Sequence, residues 1–102
     1  MFRASSRLLD CRLTLFTRAN CSLCDTAKSV LENVKSKRPF TYQEINVMVL
    51  GQEKWRAVYE FDTPVVHADK SGVAETSTSA LKLMHRFKED EVMKLMDQAE
   101  KS

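Results

Sequence analysis

Leu13-Thr14-Leu15-Phe16-Thr17-Arg18-Ala19-Asn20-Cys21-Ser22-Leu23-Cys24-Asp25 joins an alternating run, a short polar turn and two cysteines three residues apart. The run from Cys11 to Thr17 reads as a strand, with Cys11, Leu13 and Leu15 on one face and Phe16 on the other. Apolar groups on both faces predict a central strand. Asn20 is of a type that caps helices, and Leu23, Ala27, Val30, Leu31 and Val34 recur at helical spacing. A helix is therefore expected from about Cys21 to Ser36, because Pro39 disfavours helical geometry at Arg38. The cysteine pair falls in its first turn, between strand and helix.

Outward from this unit the pattern continues. Residues Phe40 to Val47 predict a second strand, with Phe40 and Tyr42 opposed to Ile45 and Val47 across a twist or bulge. Between Gln52 and Phe61, Trp55, Val58 and Tyr59 fit a short amphipathic helix. Pro64 to Ala68 predict a third strand, since proline is tolerated at a strand's first residue. Asp69-Lys70-Ser71-Gly72 is a turn, and the polar stretch from Val73 to Ser79 extends it. Leu81, Leu83, His85 and Phe87 alternate as a fourth strand, and Val92, Leu95, Met96 and Ala99 mark a C-terminal helix with Glu89, Asp90 and Glu91 at its positive end. The order β-α-β-α-β-β-α predicts a four-stranded mixed sheet flanked by three helices. Strands separated by helices are expected to be parallel, and the last two to form a hairpin.

At 102 residues the chain suits one domain, taken as residues 11–102 behind an N-terminal extension of residues 1–10. No apolar run approaches the roughly 20 residues that cross a bilayer, so a membrane partner is not expected. Sixteen basic and fourteen acidic residues are interspersed except around Lys35, Lys37 and Arg38, which is no footprint for nucleic acid. Three cysteines are too few, and odd in number, for a secreted disulfide scaffold. They point to a reducing compartment, the cytoplasm. The stretch Met1 to Leu9 has two arginines, two serines and no acid, which makes mitochondrial import the alternative.

Thiols at positions i and i+3 of a helix have Cβ atoms about 5–6 Å apart, close enough for a disulfide after a small adjustment. Cys21 is expected to face solvent and Cys24 to point inward. A free thiol titrates near pH 8.5 and is only a few per cent thiolate at neutrality, whereas about 1–2 kcal/mol from a helix N-terminus raises that fraction several-fold. Arg18 reinforces the effect and Asp25 opposes it. The chemistry that follows is attack by Cys21 on a disulfide, then release of the product by Cys24.

Leu13-Thr14-Leu15-Phe16-Thr17 with Cys21-Ser22-Leu23-Cys24-Asp25, then Tyr59-Glu60-Phe61-Asp62-Thr63-Pro64-Val65-Val66 and Leu83-Met84-His85-Arg86-Phe87, resemble the thioredoxin-fold proteins of the glutaredoxin superfamily. The likeness is greatest to a small glutaredoxin-like branch with a C-S-L-C motif. It implies a thioredoxin-like α/β fold and a thiol–disulfide oxidoreductase with Cys21 as nucleophile and Cys24 as resolving thiol. It further implies that Pro64 is cis and faces the pair, that Thr63 offers backbone hydrogen bonds to an extended substrate, and that Arg18 stands where a basic residue holds a glutathione carboxylate. Arg18, Thr63, Pro64 and Val65 are thus the expected substrate or glutathione groove. Ser22 replaces the usual proline, and Val73-Ala74-Glu75-Thr76 lacks the glycine pair and aspartate that cap the glutathione amino end. Glutathione therefore enters as an optional co-substrate. Protein or low-molecular-weight disulfides are the expected partners, glutathione or a thioredoxin reductase the reductant, and a monomer the expected state.

The sequence also admits rival readings. No bound metal or prosthetic group is required: a zinc site needs four ligands, and beyond the pair only Cys11, His67 and His85 remain, scattered. A glutathione-dependent iron–sulfur cluster shared between chains is one alternative, and a redox-inactive module for protein binding or assembly is another. His67 and His85 are expected to cap or line the sheet, Cys11 to act as a buried small hydrophobe, and Trp55 and Tyr59 to pack.

Overall fold

The structure, a computed structural model, describes residues 11–101. The N-terminal extension, and with it the suggestion of a leader, lies outside them. The elements follow the expected order: β1 (Cys11–Thr17), α1 (Ser22–Lys37), β2 (Thr41–Asn46), α2 (Glu53–Tyr59), β3 (Val65–Lys70), β4 (Leu81–Met84) and α3 (Glu89–Lys101). They build one sheet in the order β2-β1-β3-β4. Among the described residues no helix is long and apolar enough to cross a membrane.

β1 is central, as its two apolar faces require, and separates two cores. Leu13 and Leu15 pack with Leu31 and Val34 of α1 and Val92 and Met96 of α3, whereas Phe16 packs with Trp55 and Tyr59 of α2. The α3 stripe is buried as its spacing predicted. Lys88 donates its backbone N–H to the Glu91 carboxylate at 2.8 Å, which caps that helix from within its first turn. Arg38, just past α1, reaches Asp97 at 2.7 Å and Glu100 at 2.6 Å and clamps α1 to α3.

Several local expectations are corrected. β3 runs antiparallel to β1, not parallel, although α2 precedes it. The reason is length: a seven-residue helix spans only about 10 Å, too little to carry the chain back along the sheet, so β3 starts beside the end of β1. Phe40 and Ile45 need no bulge, because five residues of plain alternation already place them on opposite faces. Val58 is 41% exposed and lies off the buried Trp55–Tyr59 stripe. β3 extends through Lys70, so only Ser71 and Gly72 turn. β4 ends at Met84 because His85 adopts φ +66, which takes the chain out of the strand.

Candidate functional site

The turn after β1 sets the site. Asn20 has φ +58, a left-handed conformation that asparagine tolerates better than most residues. The helix cap is therefore not Asn20 but Cys21, whose extended backbone (φ −119, ψ 101) suits a cap position. Its Sγ accepts the Cys24 N–H at 3.1 Å, and its carbonyl accepts the N–H groups of Cys24 and Asp25 at 3.1 and 3.2 Å. The sulfur thus takes the place of a serine or aspartate oxygen at the positive end of a sixteen-residue helix.

Cys21 and Cys24 form a disulfide, with Cα atoms 5.2 Å apart. Cys21 is partly exposed and Cys24 is buried, as their positions on the helix predicted. The third cysteine, Cys11, is buried against α3, its Sγ 3.3 Å from the Met96 carbonyl. Among the described residues no three His, Cys, Asp or Glu side chains gather as a metal site.

The facing wall comes from the segment between α2 and β3. The Thr63–Pro64 peptide is cis, as the resemblance implied. An open groove of about 390 Å³ has Cys21, Ser22 and Leu23 along one side and Phe61 and Thr63 along the other, and Arg18 also lines it. No hydrogen bond within the described residues engages the backbone N–H or C=O of Thr63. Pro64 is buried, and Val65 is fully buried with its backbone paired to Phe16 and Met84. Val65 thus belongs to the core and the ladder, not to the groove. Arg18 donates from Nη1 to the Glu60 carbonyl at 2.7 Å and so ties the cysteine turn to the opposite wall.

The wall is fastened at its base. Tyr59 Oη and His67 Nε2 are 2.6 Å apart, and His67 Nδ1 is 2.8 Å from Thr76 Oγ1, all three residues being buried. Desolvation, aided by the Lys82 charge, lowers the His67 pKa to about 4, so the ring is neutral at physiological pH. Desolvation, with Asp62 adding to it, raises the Tyr59 pKa and keeps the phenol protonated. On the outer side His85 donates its backbone N–H to the Pro64 carbonyl at 2.7 Å, and its Nε2 lies 3.3 Å from Asp62 Oδ1. His67 lines the sheet and His85 caps a strand end, as expected of both.

Sequence reasoning missed Phe61 and Thr76 as contributors. Phe61 carried a signal: two residues beyond Tyr59, it falls outside the α2 stripe and has no core to join. Thr76 carried none, because a threonine in a polar loop looks the same whether or not a buried ring meets it.

Among solved structures, the protein XcR50 from X. campestris shares 20% identity at a TM-score of 0.62, with 85% of this chain and 97% of that one covered. The protein Ne2328 from Nitrosomonas europaea shares 24% identity at 0.60, over 83% of this chain and 88% of that one. Oxidised thioredoxin O2 from Arabidopsis thaliana shares 17% at 0.62, over 94% and 85%. At such identities the likeness establishes a thioredoxin-type fold. The family model described as a glutaredoxin-like domain (DUF836) matches residues 12–97. With that match spanning both the cysteine turn and the cis-proline wall, the chain belongs to the glutaredoxin-like domain family.

Proposed function

We propose that the domain is a thiol–disulfide oxidoreductase that works through the Cys21–Cys24 couple. The observation that carries this reading is a partly exposed sulfur serving as helix cap at the mouth of an open groove, bonded to a buried sulfur one turn on. An N–H aimed at Sγ and the helix N-terminus both favour the thiolate once the pair is reduced.

Cys21 thiolate attacks one sulfur of a substrate disulfide, forming the mixed disulfide and expelling the first substrate thiolate. Cys24, as thiolate, attacks the Cys21 sulfur, closes Cys21–Cys24 and expels the second. Two electrons have passed to the substrate, and two thiols of a reductant, either glutathione or a dithiol protein such as a thioredoxin reductase, must return them. Arg18 and Thr63 are the groove residues for the substrate, with cis-Pro64 setting the direction of the Thr63 backbone. Substrates are disulfides of proteins or small molecules.

Single-turnover reduction of a disulfide by the pre-reduced protein tests the scheme. Cys21→Ser should abolish exchange, whereas Cys24→Ser should still form the mixed disulfide and stop there, as seen by mass spectrometry. Exchange surviving in Cys21→Ser would sink the assignment.

A further inference from the structure

We infer that Phe61 makes this groove a docking site for a polypeptide disulfide, its ring receiving an apolar side chain close to the substrate cystine. The inference rests on the exchange chemistry proposed above and names its substrate class.

Phe61 is 87% exposed, whereas Trp55 and Tyr59 of the same segment are 6% and 3% exposed. An aromatic ring left in water has no stabilising role in the fold, and burying it against a partner recovers much of its transfer free energy. Its place is specific, because it lines the groove that Cys21 and Thr63 line. Val58, three residues earlier and 41% exposed, adds apolar surface to the same segment. Thr63 supplies the complementary backbone feature, an N–H and a C=O without partners in the described structure, which an extended chain can pair with.

The charges point the same way. Glutathione presents two carboxylates and one ammonium, and a groove selecting it must offer cations or N–H donors to both carboxylates. Among the described residues that line the groove the only cation is Arg18, and one of its nitrogens already holds the Glu60 carbonyl. Glu60, an acidic residue, also lines the groove, its carboxylate paired at 3.6 Å with Arg56. A neutral backbone carrying an apolar side chain matches such a surface better than a small anionic thiol with a carboxylate at each end.

The experiment compares second-order rate constants of the pre-reduced protein with insulin and with glutathione disulfide, so that Cys21 and Cys24 themselves supply the two electrons. The wild-type protein should favour insulin by about tenfold, and Phe61→Ala should reduce that preference by about five- to tenfold, the scale expected for partial burial of one ring. Phe61→Leu should retain most of the preference, which separates apolar docking from any general damage. A preference for glutathione disulfide in the wild type, or an equal fall with both substrates in Phe61→Ala, would overturn the inference while leaving the exchange chemistry standing. Failure to react with either substrate would take the exchange chemistry and this inference together.

Discussion

The two faces of the sheet are built on different principles. On one, Leu13, Leu15, Leu31, Val34, Val66, Val92 and Met96 meet as mainly aliphatic volume between α1 and α3, with Phe40 and Phe87 in the same cluster. On the other, Phe16, Trp55, Tyr59 and His67 stack edge to face and face to face, with ring centroids 4.6–5.9 Å apart. The aliphatic face holds the fold through area and fit, which tolerate no loss of volume but prescribe no single loop geometry. The aromatic face is smaller, and its hydrogen bonds have direction. It is also the face whose helix leads straight into the wall of the groove.

Leu13→Ala tests the first half of that contrast and should have the largest effect. Leu13 is fully buried between two helices, so truncation removes transfer free energy and leaves a cavity, costing about 3–4 kcal/mol in urea denaturation. The exchange rate constant of the folded fraction should stay within about twofold of wild type. A large fall in that constant at full folding would show that the aliphatic face also sets the site.

The next effect comes from acid. His67 titrates near pH 4 in the fold, against about 6.5 in the unfolded chain. Above pH 6.5 the ring is neutral in both states and contributes no pH dependence. As pH falls from about 6.5 towards 4, only the unfolded chain takes the proton, so stability drops by about 1.4 kcal/mol per unit before levelling off. Hydrogen bonding to Lys37 lowers the Glu89 pKa, and that group adds its own loss only further into acid. Comparing wild type with His67→Gln between pH 7 and 5 isolates the ring: the slope should vanish in the variant. An equal slope in both would mean that the aromatic face is not electrostatically special.

How much of this the sequence disclosed follows the same divide. The aliphatic face was legible because its information is periodic: Val92, Leu95, Met96 and Ala99 declare one helix face, and Leu13 against Phe16 declares a two-faced strand. The cysteine pair and its helix were legible for the same reason, while the cis peptide was legible only through resemblance. Three things were not. Asn20 has the chemistry of a cap, but its left-handed backbone passes the role to Cys21. The direction of β3 depends on where a short connection lets the chain re-enter the sheet, which no local pattern encodes. The Tyr59–His67–Thr76 chain joins a helix, a strand and a loop, each residue ordinary in its own window.

The smallest predicted effect on stability bears most directly on the site. Tyr59→Phe keeps the ring that packs on Phe16 and Trp55 and removes only the hydroxyl 2.6 Å from His67 Nε2. A buried ring nitrogen is then left without its partner, at a cost of about 1–2 kcal/mol, less than Leu13→Ala. Yet Tyr59 is the last residue of α2, its carbonyl accepts the Asp62 N–H at 3.0 Å, and the next residue supplies the carbonyl that Arg18 holds. Loosening Tyr59 therefore loosens the wall that carries Thr63. The two variants should cross: Leu13→Ala loses more stability and little exchange, whereas Tyr59→Phe loses less stability and several-fold in the rate constant for disulfide reduction. Single-turnover rates set beside urea midpoints for both proteins decide it. If the two variants instead fall on one line of rate against stability, the faces differ in composition but not in task.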